Sequence, residues 1–437
     1  MRRAYYSVSA AIGLAIACTY DDPLPADLGV CADEAAELTP TPGLTYHADI
    51  GPLIAARCGV CHASGGIAPF ALETYAQVYG ARTVIDAVTR TREMPPWPPS
   101  RCCAEYRRDR SLSDDELAAI AGWVADGAPE GDPADAPGDP PPPSGLSRVD
   151  LEVTMPAAYT PSEADGDEVR CFVLDWPLDA RRYITGLEVR PGDPTIAHHA
   201  IVYAVGATKA AFYQSLEDAD DAPGWACPGG LFEGGDTVVG GWVPGTLGHD
   251  FPEGVGRGVE PGSKLILSVH YRFVPAVPGT DQTTLALRLD DAVDRELRGV
   301  AVFDPTWTVG ETMKIPAGDD DVVYAYGYDP SVLTLGQPSK IYSVTLHMHE
   351  RGASGTVAIE RGDGSVECLL HVPAWDYHWQ GDFELTTPVT IHAGDRVKVE
   401  CHFDNSAGHQ PPGQEPRDLA WGDDQEMCVA SLLMTDP

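Results

Sequence analysis

The spacing of apolar residues divides the chain into a short helical part and a much longer part made of strands. Over residues 117–124, apolar residues recur at positions i, i+3, i+4 and i+7, as on one face of a helix. Ser113 precedes this run and Glu116 follows three residues later, a combination typical of a capping box at a helix N-terminus. Helical character extends from about residue 44 to 130, which predicts a small all-α domain.

C-terminal to this domain, the pattern changes to short apolar or alternating runs bounded by Gly, Pro and Asp. Residues 200–203 and 265–269 are examples, and such runs are typical of β-strands. Only residues 209–216 have a helical pattern in this part. So long a stretch of strands exceeds one sandwich, which predicts two all-β sandwich domains, over residues 148–293 and 294–437.

Three further segments surround these domains. Residues 1–18 have the pattern of an export signal, with basic residues, a weakly apolar run and small residues before Cys18. Export places the protein in the periplasm or at the cell surface, and lipidation of Cys18 would make it an outer-membrane lipoprotein with a lipid anchor. An ordinary cleaved signal is the alternative. Residues 19–43 are an acidic tether, and residues 131–147 are a Pro-rich linker.

Charge and cysteine content narrow the class of protein. The formal net charge is −37, so the phosphates of a nucleic acid would repel the chain. The eleven cysteines of an exported chain are expected to form disulfides or to attach a cofactor. Setting aside Cys18, Cys58 and Cys61 leaves eight of them, an even number whose pairing the spacing does not fix.

A Cys-Gly-Val-Cys-His motif begins at Cys58 and is the attachment motif for a c-type haem. Cys58 and Cys61 would take thioether bonds to the haem vinyl groups, and His62 would ligate the iron. A zinc knuckle and a redox dithiol are the alternatives, and zinc would need a second pair of ligands. Met94 lies 32 residues after His62 and is predicted to be the sixth ligand, since a Met/His pair raises the reduction potential. The order of motif, Met loop and C-terminal helix resembles the cytochrome c family.

Histidines and one methionine are concentrated at the ends of predicted strands. His347 and His349 are two residues apart, so along a strand they face one side and can bind the same ion. His198 and His199 are adjacent and can share an ion only at a strand end or a bulge. Imidazole favours copper, zinc, iron or nickel, and a thioether narrows the choice toward copper. The full set is His198, His199, His270, His347, His349 and Met427.

Four motifs in order resemble the copper type II, ascorbate-dependent monooxygenases, the family of peptidylglycine α-hydroxylating monooxygenase and dopamine β-monooxygenase. The resemblance covers about residues 165–437 and implies two jelly-roll-like sandwiches. Each sandwich would carry one copper ion, and the two ions would face each other across a solvent-filled cleft. The motifs are AHHA at 197–200, SVHY at 268–271, HMH at 347–349 and EMC at 426–428.

The resemblance also assigns roles to residues. An electron-storing copper would be held by His198, His199 and His270. The catalytic copper, where O2 binds and the substrate C–H bond is attacked, would be held by His347, His349 and Met427. A disulfide between Cys401 and Cys428 is implied as well.

Other residues depart from the family pattern or allow another interpretation. The peptide-amidating enzyme has an Arg two residues before its His-x-His, where this chain has Thr345. Its Asn and Tyr after the Met-Cys pair are replaced by Val429 and Ser431, so peptidylglycine is not expected as the substrate. Cys401-His402 is also compatible with a blue-copper site. A structural or exposed role is expected for His249, His371, His378, His392, His402 and His409.

Together these patterns predict an exported copper-dependent monooxygenase with two copper ions and one covalent haem. It would hydroxylate a small-molecule or peptide substrate with O2, with ascorbate or a redox partner as reductant. Electrons would arrive through the haem, which replaces or supplements ascorbate. The linker at residues 131–147 is expected to let the haem domain dock and leave. The alternatives are a non-catalytic periplasmic electron-transfer or copper-handling protein and a secreted binding module.

Overall fold

The computed structural model describes most of the chain. The described residues are 24, 38–137, 145–162, 168–227, 237–272, 279–309, 312–411, 413–422 and 425–435. The predicted signal with Cys18, most of the tether and the centre of the Pro-rich linker lie outside these residues. Within them, no helix is long and apolar enough to cross a membrane.

The N-terminal part folds as three α-helices around a small core. A π-helical turn at Tyr46–Ile50 leads into α1 (Gly51–Arg57), followed by α2 (Tyr75–Arg90) and α3 (Asp114–Ala125). The predicted capping box at the start of α3 is confirmed: the Ser113 hydroxyl accepts from Glu116 N–H, and the Glu116 carboxylate accepts from Ser113 N–H. These bonds satisfy backbone donors that a helix N-terminus otherwise leaves unpaired. The core is centred on Trp123, which is fully buried.

The remaining described chain is mostly β-sheet, with α4 at Ala207–Asp218 and α5 at Pro305–Val309. Short 3-10 turns lie at Pro133–Asp135, Pro330–Thr334, Tyr377–Trp379 and Ala407–His409. The strands are β1 Leu151–Thr154, β2 Glu168–Asp175, β3 Arg182–Arg190, β4 Ala197–Val205, β5 Trp225–Ala226, β6 Thr237–Trp242, β7 His249–Asp250, β8 Val255–Val259, β9 Lys264–Tyr271, β10 Thr284–Asp290, β11 Arg295–Val302, β12 Lys314–Ile315, β13 Val322–Tyr328, β14 Ser339–His347, β15 Gly352–Glu360, β16 Val366–Val372, β17 Phe383–Ile391, β18 Arg396–Phe403, β19 Leu419–Ala420 and β20 Val429–Thr435.

These strands build two sandwiches that share one sheet. In the first, the sheet β5-β2-β9-β4-β6 packs on β1-β10-β3-β8, with β7 paired to β3. In the second, β13-β18-β15-β16 packs on β11-β20-β14-β17. Strands β8 and β11 pair in parallel, Val255 opposite Arg295, so a single sheet runs through both sandwiches. The first sandwich ends with β10 at Asp290, and the second begins with β11 at Arg295.

A loop between α2 and α3 leaves the helical core and joins the second sandwich. Cys103 forms a disulfide with Cys368 on β16. Tyr106 pairs with Leu385 on β17 and is 7% exposed within the core of that sandwich. Its hydroxyl donates to Leu369 O at 2.9 Å. The expectation that the helical domain docks and leaves is therefore wrong, because a covalent bond and a buried side chain hold it in place.

Candidate metal centres

Three histidines of the first sandwich meet at one point. Their ligand atoms all lie within 4.8 Å of one another, and the Nδ1 atoms of His198 and His199 are 3.3 Å apart. His198 and His199 lie at the start of β4, and His270 lies on the neighbouring strand β9. His198 and His270 are buried, at 3% and 2% exposure. The cluster can therefore present three imidazole nitrogens to one ion, shielded from water.

A β-bulge explains how adjacent histidines reach the same side. Along β4 and β9, Ala197 pairs with Tyr271 and His199 pairs with His270, so His198 is an extra residue with no partner in the register. An extra residue in one strand rotates the side chains that follow it. Without the bulge, the alternation of a strand would place the two side chains on opposite faces.

The second sandwich brings together the two histidines of the His-x-His motif. His347 ends β14 and His349 follows two residues later, with their Nε2 atoms 3.1 Å apart. Strands β14 and β20 are antiparallel with His347 opposite Val429. Continuing that register by two residues places His349 opposite Met427, which is 3% exposed. All three predicted ligands thus lie at one end of this strand pair.

The Nε2 lone pairs of His347 and His349 point toward each other. His347 Nδ1 donates to Gln380 Oε1 at 2.6 Å, and His349 Nδ1 donates to Gln425 O at 3.2 Å. A neutral imidazole carries one N–H, so both Nε2 atoms are unprotonated and face each other. Burial lowers the pKa of His347 to about 3, with a smaller contribution from His349, and burial lowers the pKa of His349 as well. Two facing lone pairs repel unless a cation shares them, so this donor set fits a metal ion.

A buried carboxylate fixes the histidine turn to the segment that carries Met427. Glu426 is 1% exposed and accepts from the backbone N–H groups of His349 at 2.9 Å and Arg351 at 2.6 Å. One residue beyond Met427, Cys428 forms a disulfide with Cys401, the pair that the resemblance implied. A disulfide sulfur is not a thiolate ligand, which removes the blue-copper interpretation of Cys401.

One short turn contacts both groups of histidines. The ring of Tyr377 lies 6.1 Å from that of His270 and 6.0 Å from that of His349, between centroids. The ring of Trp379 lies 6.3 Å from that of His198. Gln380, which accepts the hydrogen bond from His347, donates its own amide N–H to Tyr377 O at 3.1 Å. One tyrosine side chain thus contacts a histidine of each cluster, and the solvent-filled cleft that the resemblance implied stays a prediction.

This turn was not predicted as part of either metal centre. Its residues belong to no periodic pattern and lie between β16 and β17, about 30 residues after the His-x-His motif along the chain. The only local signal is the density of aromatic and amide side chains in Trp375–Gln380, a feature that in most proteins marks packing.

The helical domain carries the two cysteines of the haem motif as free thiols. Cys58 and Cys61 are free and half-buried. His62 Nδ1 donates to Phe70 O at 3.0 Å, which leaves Nε2 as the nitrogen able to ligate iron. Met94 follows α2, and its exposed side chain lies in the loop that enters the second sandwich. The other cysteines among the described residues are disulfide-bonded: Cys102, Cys103, Cys171, Cys227, Cys368, Cys401 and Cys428.

The alternatives for this motif find less support in its surroundings. Burial raises the pKa of Cys58 to about 11 and raises that of Cys61 too, whereas a redox-active dithiol needs a lowered thiol pKa. A zinc site needs four clustered ligands. Within the described part of the chain, the one cluster of three or more His, Cys, Asp or Glu ligand atoms is His198, His199 and His270. Two protonated thiols beside an oriented histidine fit thioether attachment of a haem.

Comparison with known proteins gives one informative similarity. DBH-like monooxygenase protein 2 from Mus musculus is 26% identical over 219 residues, which are 48% of this chain and 34% of that protein. The chain thus spans about a third of its relative's length. No family model matches the chain. Three disulfides have both cysteines within the described residues, and they are typical of a protein that folds in an oxidising, exported environment.

Solved structures are similar only at a low level. PNGase F, a glycosylasparaginase from Flavobacterium meningosepticum, gives a TM-score of 0.31 at 10% identity, covering 65% of this chain and 95% of that chain. The major capsid protein P2 from bacteriophage PM2 gives 0.24 at 9% identity, covering 65% and 97%. Scores this low support no conclusion about fold or function.

Proposed function

We propose that this chain is a copper-dependent monooxygenase that hydroxylates a C–H bond of an organic substrate with O2. The observation that carries the proposal is the pairing of two separate imidazole clusters, one in each sandwich, through the single turn Tyr377–Trp379. Similarity to a DBH-like monooxygenase supports the same reaction class. When bound, copper would supply O2 activation at one centre and electron storage at the other.

The donor sets divide these two roles. His198, His199 and His270 offer imidazole alone, which serves both copper oxidation states. The second centre offers His347, His349 and Met427, and the thioether favours the reduced ion that must meet O2. Gln380 and Glu426 orient the second centre through hydrogen bonds, and the Tyr377 ring packs against a histidine of each centre.

The haem is the second part of the proposal. Cys58 and Cys61 would hold it covalently, His62 would ligate its iron, and Met94 is the proposed sixth ligand. A Met/His-ligated haem has the higher potential of an electron-transfer cytochrome. Electrons from ascorbate or a redox partner would then reach the copper centres through the helical domain, which the disulfide Cys103–Cys368 keeps beside them.

The surroundings of His347 bear on the substrate. Thr345 lies two residues earlier on the same strand face, and its hydroxyl donates to Asp382 Oδ1 at 3.3 Å. Asp382 is exposed, and the protein packed around its carboxyl group raises its pKa to about 6. A carboxylate at this place would repel a substrate carboxylate, which argues against a peptidylglycine-like substrate.

Metal analysis with matched variants tests the copper assignment. We expect one iron and two copper ions per chain after maturation with a c-type haem assembly system and copper loading. His270→Ala should abolish one copper site and Met427→Leu should weaken the other, whereas His392→Ala, at an imidazole that is 64% exposed, should leave both intact. Absence of stoichiometric copper would contradict the proposal.

A copper-handling or electron-transfer protein is the competing class. It would bind the same two ions yet consume no O2 with any reductant. Oxygen uptake by the loaded protein, lost in both ligand variants and retained in His392→Ala, separates the two classes.

A further inference from the structure

The haem motif touches the first sandwich at a glycine. Gly245 lies in the turn after β6, with a φ of +86°. A Cβ atom placed there would lie 2.9 Å from Arg110 Nη1, 3.0 Å from Val60 Cγ1 and 3.5 Å from Cys61 Sγ. The turn of the first sandwich therefore lies close to the motif, and a side chain at this position would crowd Arg110 and Val60, which glycine avoids.

A half-buried arginine, Arg110, links the two segments at this point. Arg110 Nη1 donates to Pro244 O at 2.8 Å, and Nη2 donates to Pro96 O at 3.4 Å. One guanidinium thus joins the turn after β6 to the loop that contains Met94. Cys103, in the same loop, is bonded to the second sandwich. The loop between α2 and α3 is therefore attached to both sandwiches.

The same turn leads directly to the three-histidine cluster. Trp242 is the last residue of β6, three residues before Gly245, and is 8% exposed. It pairs with Ala200 on β4. Ala200 is the residue after His199, one of the three clustered histidines. The connection from Cys61 begins with the close approach at Gly245 and follows three peptide units to Trp242. It then crosses the strand pair to Ala200, and one more peptide unit leads to His199.

We infer that electrons enter the copper core at the centre of His198, His199 and His270, passing from the haem edge at Cys61 through residues 242–245. The inference rests on the proposed function. Each transfer moves one electron: iron(II) is oxidised to iron(III) and copper(II) is reduced to copper(I), with no bond made or broken. The iron is reduced again by an external one-electron donor such as ascorbate. The thioether would give the copper ion at the second centre the higher reduction potential. The electron nevertheless enters at the three-histidine centre, because the connecting path and not the driving force selects the entry point.

Single-turnover spectroscopy tests this entry point on the complete, metal-loaded chain. Haem is reduced, copper is kept as copper(II), and oxidation of the haem is followed by its absorbance without O2. We expect a fast phase in the wild type that persists in Met427→Leu and is lost in His270→Ala. We expect Arg110→Gln, which gives up the bond to Pro244, to slow the fast phase while copper and iron contents stay unchanged. Arg82→Gln on α2 is the control and should leave the phase as it is.

The results distinguish failure of the proposed entry point from failure of the proposed function. A fast phase that survives in His270→Ala, or that disappears in Met427→Leu while the first copper stays bound, overturns the entry point alone. A protein that binds iron but no copper overturns the proposed function together with the inference.

Discussion

Tyr377 and His270 belong to different sandwiches, yet their ring centroids lie 6.1 Å apart. The same tyrosine ring lies 6.0 Å from His349 of its own sandwich. One ring therefore packs against an imidazole of each cluster. A single side chain that is not among the predicted ligands thus links the two centres.

Replacing this ring tests its part in the junction. Tyr377→Ala should leave a gap between the sandwiches and reduce the free energy of unfolding, by less than the roughly 3 kcal/mol lost at a fully buried ring because Tyr377 is only half-buried. It should also slow electron transfer between the two copper centres in a single-turnover measurement. Tyr377→Phe keeps the ring and should resemble the wild type. Equal behaviour of the two variants would mean that the ring has no bridging role.

Loss of the Gln380 carbonyl should affect one copper centre alone. Gln380→Leu removes the acceptor for His347 Nδ1, and removal of such a partner typically weakens metal binding about 10- to 100-fold. A copper titration should show weakening at the second centre only. Gln380→Glu retains an acceptor oxygen and should restore binding. A shift at the three-histidine centre instead would contradict the structure.

The disulfide between Cys103 and Cys368 should make the helical domain and the second sandwich unfold together. Replacing both residues by Ser leaves no unpaired thiol and should cost about 2–5 kcal/mol. Urea unfolding followed by haem absorbance should then precede unfolding of the sheets. The matched control is the double Ser variant of Cys171 and Cys227, a pair within the first sandwich, which should leave the two signals coincident.

His249 should make the protein less stable in acid. Burial, helped by Arg108, lowers its pKa to about 4, so at neutral pH it is uncharged and its 3.8 Å approach to Glu384 is not an ion pair. Asp250 acts in the opposite direction but less strongly. Because the unfolded chain binds a proton near pH 6.5 and the folded chain only near pH 4, the free energy of unfolding should fall as the pH drops through this window.

The contribution of this histidine can be isolated by difference. His249→Gln should lose part of the fall in melting temperature between pH 6.5 and about 4. His392→Gln, at an exposed position, should follow the wild type over the same range. Parallel curves for all three proteins would show that His249 does not titrate as its surroundings require.

Local patterns in the sequence were sufficient for some features of the centres. The spacing of His347 and His349 allows both to bind one ion. The adjacent His198 and His199 can share an ion only at a strand end or a bulge, and the register of β4 contains a bulge. The capping box at Ser113 is likewise a feature of neighbouring residues. Such features depend on residues a few positions apart in the sequence. Backbone geometry alone determines how the side chains of these residues lie relative to one another.

The features that sequence reasoning missed depend on distant parts of the chain. Cys103 and Cys368 are 265 residues apart, and with eight cysteines to pair no spacing rule selects this bond. The Pro-rich linker led to the expectation of a detachable helical domain, because it is the visible connection between the domains. The helical domain is instead attached through the loop that contains Tyr106. The side chain of this tyrosine is buried in the core of the second sandwich.

The bond from Cys103 to Cys368 also changes how the proposed electron supply responds to dilution, ionic strength and competing proteins. A separate cytochrome would have to find its partner by diffusion, at a rate set by both concentrations and by the salt that screens their charges. A tethered one reacts at a fixed effective concentration. Dilution, ionic strength and competing proteins would therefore leave the internal step untouched, and only the first reductant would still have to arrive by collision.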